Sequence, residues 1–107
     1  MKQVTSKTEF QQLINGDKPV LLDFYADWCG PCKVLSPTVE RLANKYAGDF
    51  EIAKVNVDQN RELAEQFGVR SIPTLVFIQD KEEKERLVGL NSEAAIDNKI
   101  QEYLAVV

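Results

Sequence analysis

The sequence predicts an α/β domain in which a mixed β-sheet is sandwiched between helices. Three observations carry this. Strand-like apolar segments alternate with segments of helical periodicity in the order βαβαβα and then ββα. The run Val20 to Ala26 is almost continuously apolar, the pattern of a central strand covered on both faces. Two further strand-like segments follow one another across a charged turn, which reads as an antiparallel hairpin. With 107 residues, 44% hydrophobic and 28% charged, the chain has the size and balance of one domain spanning 1–107.

Each element has its own signal. A short strand is expected around Gln3 and Val4. Ser6-Lys7-Thr8-Glu9 has the form of a capping box, and Phe10, Leu13 and Ile14 then fall on one helical face before Gly16 supplies a stop. The apolar strand from Val20 comes next. Pro31 suits a first helical turn, and Leu35, Val39, Leu42, Ala43 and Tyr46 recur at helical spacing until Gly48. Pro37 lies inside that helix and should kink it, since it removes a backbone donor. Ile52 to Val57 reads as a strand, followed by a short helix through Leu63, Ala64 and Phe67 that ends at Gly68. Thr74 to Ile78 is strand-like, a turn runs from Asp80 to Lys84, and Glu85 to Val88 completes the hairpin. Ser92 caps a last helix with Ile96, Ile100, Tyr103 and Leu104 on its apolar side.

The residue inventory excludes much chemistry. There is no histidine, which removes Ser/His/Asp and Cys/His catalysis and the commonest transition-metal ligand. Two cysteines cannot supply a four-ligand structural zinc site or a four-thiolate iron–sulfur cluster within one chain. No glycine-rich phosphate loop is present. A net charge of −4 speaks against a nucleic-acid-binding face, which needs positive charge to neutralise phosphates. No apolar run is long enough to span a bilayer, and Met1 to Ser6 lacks a signal-peptide stretch, so a cytoplasmic location is expected.

What remains is Trp28-Cys29-Gly30-Pro31-Cys32. Cysteines three apart at a helix start stand about 5–6 Å apart, within reach of a disulfide, so the pair can cycle between dithiol and disulfide with little backbone motion. The unpaired amides and positive dipole end of the helix favour a thiolate on the N-terminal member, and thiolate is the attacking species in exchange. Cys29 is therefore the expected nucleophile. Cys32, one turn inside, should be more enclosed and resolve the mixed disulfide. An inert structural disulfide is the plainer alternative, although so small a loop stabilises little by chain entropy. Asp23 interrupts the apolar strand. Buried there, its carboxyl would titrate near neutrality and could take a proton from Cys32, through a water; at a strand end it would instead be a solvated acid. Lys54 is either its charge partner or an exposed lysine on a polar strand face.

The segment Phe24-Tyr25-Ala26-Asp27-Trp28-Cys29-Gly30-Pro31-Cys32-Lys33 resembles the active-site segment of the thioredoxin family. The resemblance continues through Asp23, Val57-Asp58-Gln59-Asn60, Ile72-Pro73-Thr74 and Val88-Gly89, and so covers essentially the whole chain. It implies a thioredoxin fold, a mixed five-stranded sheet flanked by four helices. It also implies a general protein-disulfide reductase, an electron carrier in redox homeostasis, with Cys29 and Cys32 as its redox-active pair and no bound cofactor. Electrons would come from NADPH through a flavin-containing thioredoxin reductase, and disulfide-containing proteins would be the clients of a monomer.

Sequence pattern alone favours a trans Ile72-Pro73 bond; the resemblance implies a cis bond lying against the Cys-x-x-Cys loop. Trp28, Gly30, Pro31, Ile72, Pro73, Thr74 and Gly89 would then form the docking site for polypeptide disulfides, with Val88 and Leu90 either on this rim or in the core. Lys33 either helps to hold a thiolate or is simply solvated. Two departures from the family pattern stand out. Tyr25 replaces a second tryptophan, a change expected to affect packing more than chemistry. Asp80-Lys81 replaces a glycine-containing hairpin turn, which leaves the turn type open. An oxidant or isomerase on the same fold, and a binding subunit indifferent to thiol state, are the rival functions.

Overall fold

Residues 1–105 are described by a computed structural model. The elements are β1 (Lys2–Gln3), α1 (Lys7–Ile14), β2 (Val20–Tyr25), α2 (Gly30–Lys45), β3 (Glu51–Asn56), α3 (Arg61–Gln66), β4 (Thr74–Gln79), β5 (Glu82–Val88) and α4 (Glu93–Leu104). They form a five-stranded sheet in the order β1-β3-β2-β4-β5. β1, β3 and β2 run parallel, while β2 with β4 and β4 with β5 are antiparallel. The expected mixed sheet with four flanking helices is what the chain builds.

Alternation along the strands sorts the core into two layers. Leu22, Phe24, Ala53, Val55, Val76 and Ile78 pack on one face against Phe10 and Leu13 of α1 and Leu63 and Ala64 of α3. Leu21, Ile52, Leu75 and Phe77 pack on the other against Leu35, Val39 and Leu42 of α2 and Ile96 and Ile100 of α4. Phe77 is fully buried, stacked on Tyr103 at 5.1 Å between ring centres and edge-on to Phe50 at 6.5 Å. α2 continues through Pro37 as one helix.

Several boundaries differ from the sequence reading, each for a local reason. The capping box at α1 is half made: Ser6 Oγ accepts the amide of Glu9 at 3.1 Å, but the Glu9 carboxylate takes its hydrogen bond from the Thr5 hydroxyl. Asn15, not Gly16, caps the end of α1, with right-handed helical angles. β5 starts at Glu82, and the turn contracts to two residues, Asp80 and Lys81, with φ 56° and 66°. These two left-handed residues match the right-handed twist of the strands, which a broad loop to Lys84 would not. The register passes from Phe77–Glu85 to Ile78–Glu83, leaving Lys84 as the extra residue of a bulge. Leu104, expected on the apolar side of α4, is 37% exposed. Among the described residues no helix is long and apolar enough to cross a membrane.

Candidate active site

β2 and β3 are parallel neighbours, and the chain leaves both at the same edge of the sheet, where the crevices of α/β folds lie. After β2 the backbone turns through Ala26, Asp27 and Trp28 into α2. Cys29 is the N-cap of that helix, and its Sγ accepts the amide of Cys32 at 3.2 Å. A helix amide therefore already points at this sulfur, where it would stabilise a thiolate in the dithiol form. Cys29 and Cys32 are joined as a disulfide with a Cα–Cα distance of 5.3 Å. Both are equally enclosed, each 4% exposed, so the expected greater enclosure of Cys32 is absent in the disulfide form. The reason is that Cys29 packs with Ala26 and Ile72, and its Sγ lies 3.8 Å from the carbonyl oxygen of Ile72.

The turn before β4 supplies the opposite wall. The Ile72-Pro73 bond is cis, as the resemblance and not the pattern implied. Gly89, with φ 81°, donates its amide to the carbonyl oxygen of Pro73 at 2.8 Å and so brings the end of β5 against this turn. Pro73 and Thr74 are buried, and the Thr74 hydroxyl donates to the carbonyl oxygen of Ser71 at 2.5 Å. Ile72 and Gly89 are half-buried, whereas Trp28, Gly30, Pro31, Val88 and Leu90 are exposed. Val88 and Leu90 thus belong to the surface. Thr74 offers the surface no side chain.

Asp23 lies in the middle of β2, 4% exposed, with Leu75 and Lys54 as its neighbours on β4 and β3. Its Oδ1 has no hydrogen-bond partner among the described residues. Burial raises the carboxyl to about 7, with the Lys54 ammonium pulling the other way. Lys54 is half-buried, its Nζ 5.4 Å from the centre of the Tyr25 ring. Tyr25, Lys54, Cys32, Lys33, Asp27 and Ser36 line a cleft of about 420 Å³ beside the disulfide. A cation and the second sulfur thus share one cleft, and the buried Asp23 is the sheet neighbour of that cation.

Asn56 was not read from the sequence. It is 3% exposed at the end of β3, and its Oδ1 accepts the amides of Asp58 at 2.9 Å and Gln59 at 3.3 Å. It also donates to Asp27 Oδ2 at 3.5 Å, tying the two site loops together. Asp58, so fixed, accepts from Trp28 Nε1 at 2.8 Å and orients the exposed indole. The available signal was an Asn two residues before an Asp at a strand end, the makings of an Asx turn. Among the described residues no three His, Cys, Asp or Glu side chains stand close enough to hold a metal ion.

Comparison with known proteins agrees with this geometry. The thioredoxin family model matches residues 1–102. Thioredoxin 1 of a Nostoc species is 38% identical over 102 residues, covering 95% of each chain. The thioredoxin of Chlorobaculum thiosulfatiphilum is 42% identical over 102 residues, covering 95% of this chain and 94% of its own. A mutant thioredoxin from Halobacterium salinarum superimposes with a TM-score of 0.89 at 45% identity, over 99% of this chain and 92% of its own. Such membership implies disulfide-containing client proteins. With the fold, the helix-capping sulfur and the disulfide in agreement, the chain belongs to the thioredoxin family and is a thiol–disulfide oxidoreductase whose redox-active pair is Cys29 and Cys32.

Proposed function

We propose that the protein is a general reductant of protein disulfides, acting as a monomeric single domain in the cytoplasm. In its dithiol form the Cys29 thiolate attacks a client disulfide, forms a mixed disulfide and releases one client thiolate. Cys32, deprotonated, then attacks the Cys29 sulfur. The Cys29–Cys32 disulfide forms and the second client thiol leaves, so two electrons pass to the client and the pair is oxidised. A flavin-containing thioredoxin reductase would return the two electrons from NADPH. The observation that carries the order of attack is the capping position of Cys29: its Sγ already accepts a helix amide, which stabilises a thiolate there.

Asp23 is the proposed acceptor of the Cys32 proton. Its near-neutral titration supports this, since a base works best close to the ambient pH, as does its place in register with Lys54, which lines the same cleft as Cys32. Lys54 is proposed to tune that titration. The docking face combines the exposed Trp28, Gly30 and Pro31 with the half-buried Ile72 and Gly89, while Pro73 and Thr74 shape the turn from beneath. An extended client segment would pair with the Ile72 backbone.

Trapping tests the order of attack. The reduced Cys32→Ser variant, mixed with a disulfide client, should accumulate a stable mixed disulfide at Cys29 by mass spectrometry, and Cys29→Ser should not. Accumulation on Cys32 in the Cys29→Ser variant alone would reverse the assignment.

A further inference from the structure

The cleft beside Cys32 contains a contact that the proposed mechanism leaves unused. Gln3, Lys54 and Asp23 form a row across β1, β3 and β2, each in register with the next. Lys54 is therefore flanked by an amide on one side and a carboxyl on the other. Tyr25, two residues beyond Asp23 on the same strand, presents its side chain to the same face of the sheet. Gln3 Nε2 donates to the Tyr25 hydroxyl at 2.7 Å. The phenol is thus held from the far side of Lys54, and the ring lies across the ammonium at 5.4 Å. A cation at this distance from an aromatic centre is attracted to its face. Lys54 forms no ion pair within 4 Å among the described residues, which leaves the ring as the contact seen at its head group.

We propose that Tyr25 is a positioning residue: anchored by Gln3, its ring holds the Lys54 ammonium in the cleft beside Asp23 and Cys32. The residue that replaces the family's tryptophan thereby acts on chemistry, not on packing alone. The hydroxyl is what lets Gln3 fix the ring, and the ring is what keeps a flexible lysine from turning out to solvent. The inference rests on the reading of Asp23 as the proton acceptor. The charged and titratable groups of this cleft are Lys54 on β3, Tyr25 at the end of β2, Asp27 in the loop that follows and Lys33 on α2, with Cys32 held in the disulfide; the neighbours of Asp23 in the sheet are Lys54 on β3 and Leu75 on β4.

The test is the titration of the Asp23 carboxyl, followed by carbon NMR in the oxidised full-length protein. Removing a nearby positive charge disfavours the carboxylate, so Lys54→Met should raise the midpoint. Tyr25→Leu, which keeps apolar cover but loses the ring face, should raise it by roughly half a pH unit, and should raise it no further in the Lys54→Met background. Tyr25→Phe and Gln3→Ala delete the same anchoring bond with little threat to the fold. Each should raise the midpoint by a smaller equal amount, with no additional effect when combined. A midpoint that stays put in Tyr25→Leu, falls, or rises equally with and without Lys54 overturns the proposal. Should Tyr25→Leu not fold, additive shifts in the Tyr25→Phe and Gln3→Ala pair, or none, overturn it instead. The base assignment is tested separately: unchanged resolution of the mixed disulfide in Asp23→Asn would sink that reading whatever the carboxyl titration does.

Discussion

Replacing Asp23 by asparagine should stabilise the oxidised protein at alkaline pH, by an amount that follows from where the carboxyl sits. In the fold it titrates at about 7, because burial penalises the carboxylate more than Lys54 favours it. In the unfolded chain an aspartate titrates at about 3.9. Below about pH 4 both states hold the proton, and the group adds no pH dependence. Between about pH 4 and 7 the unfolded chain releases it while the native state keeps it, so stability falls as pH rises. Above that the loss levels off at about 3 pK units, or ~4 kcal/mol. Asparagine has nothing to ionise. Urea unfolding of both oxidised proteins, monitored by Trp28 fluorescence, should show the advantage of Asp23→Asn widening by ~4 kcal/mol between about pH 4 and about pH 8.5. Curves that stay parallel over that range would refute the buried, near-neutral carboxyl and remove the physical basis for its role as a base.

Two further changes test the scaffold. Asp80 and Lys81 occupy left-handed conformations that L side chains resist, so Asp80→Asn with Lys81→Gly should gain about 1 kcal/mol in urea with an unchanged m-value; no gain would mean that the turn carries no strain. Phe77 fills the layer between the sheet and α4, and Phe77→Ala should cost ~3–5 kcal/mol by the same assay, less than about 1 kcal/mol being incompatible with its burial.

Much of this molecule was legible because its signals are local. The unbroken apolar run around Leu22 marked a strand covered on both sides, and the packing of α1 and α3 against one face and α2 against the other is why it had to be so. The spacing of Cys29 and Cys32 placed them on the first turn of a helix, and the intruding acid at Asp23 stood out against its apolar neighbours. The hairpin was less legible, because two positive φ angles on Asp80 and Lys81 leave no glycine in the sequence to announce them. The equal enclosure of the two cysteines depends on Ile72, a residue 43 positions from Cys29, and no local pattern carries it. Nor does one show that Gln3 reaches the Tyr25 hydroxyl, since that bond exists only once β3 has inserted between β1 and β2.

Proton transfer, docking and client choice all presuppose that the dithiol is the working form. The most direct test is the equilibrium reduction potential of the Cys29–Cys32 pair, titrated in a thiol–disulfide buffer and read from Trp28 fluorescence. A reductant should lie well below the glutathione couple, near the value characteristic of the thioredoxin family, about −270 mV. A potential of about −180 to −120 mV, the range of isomerases and periplasmic oxidants, would mean that the protein accepts electrons from its clients, and the proposed direction of flow would be wrong.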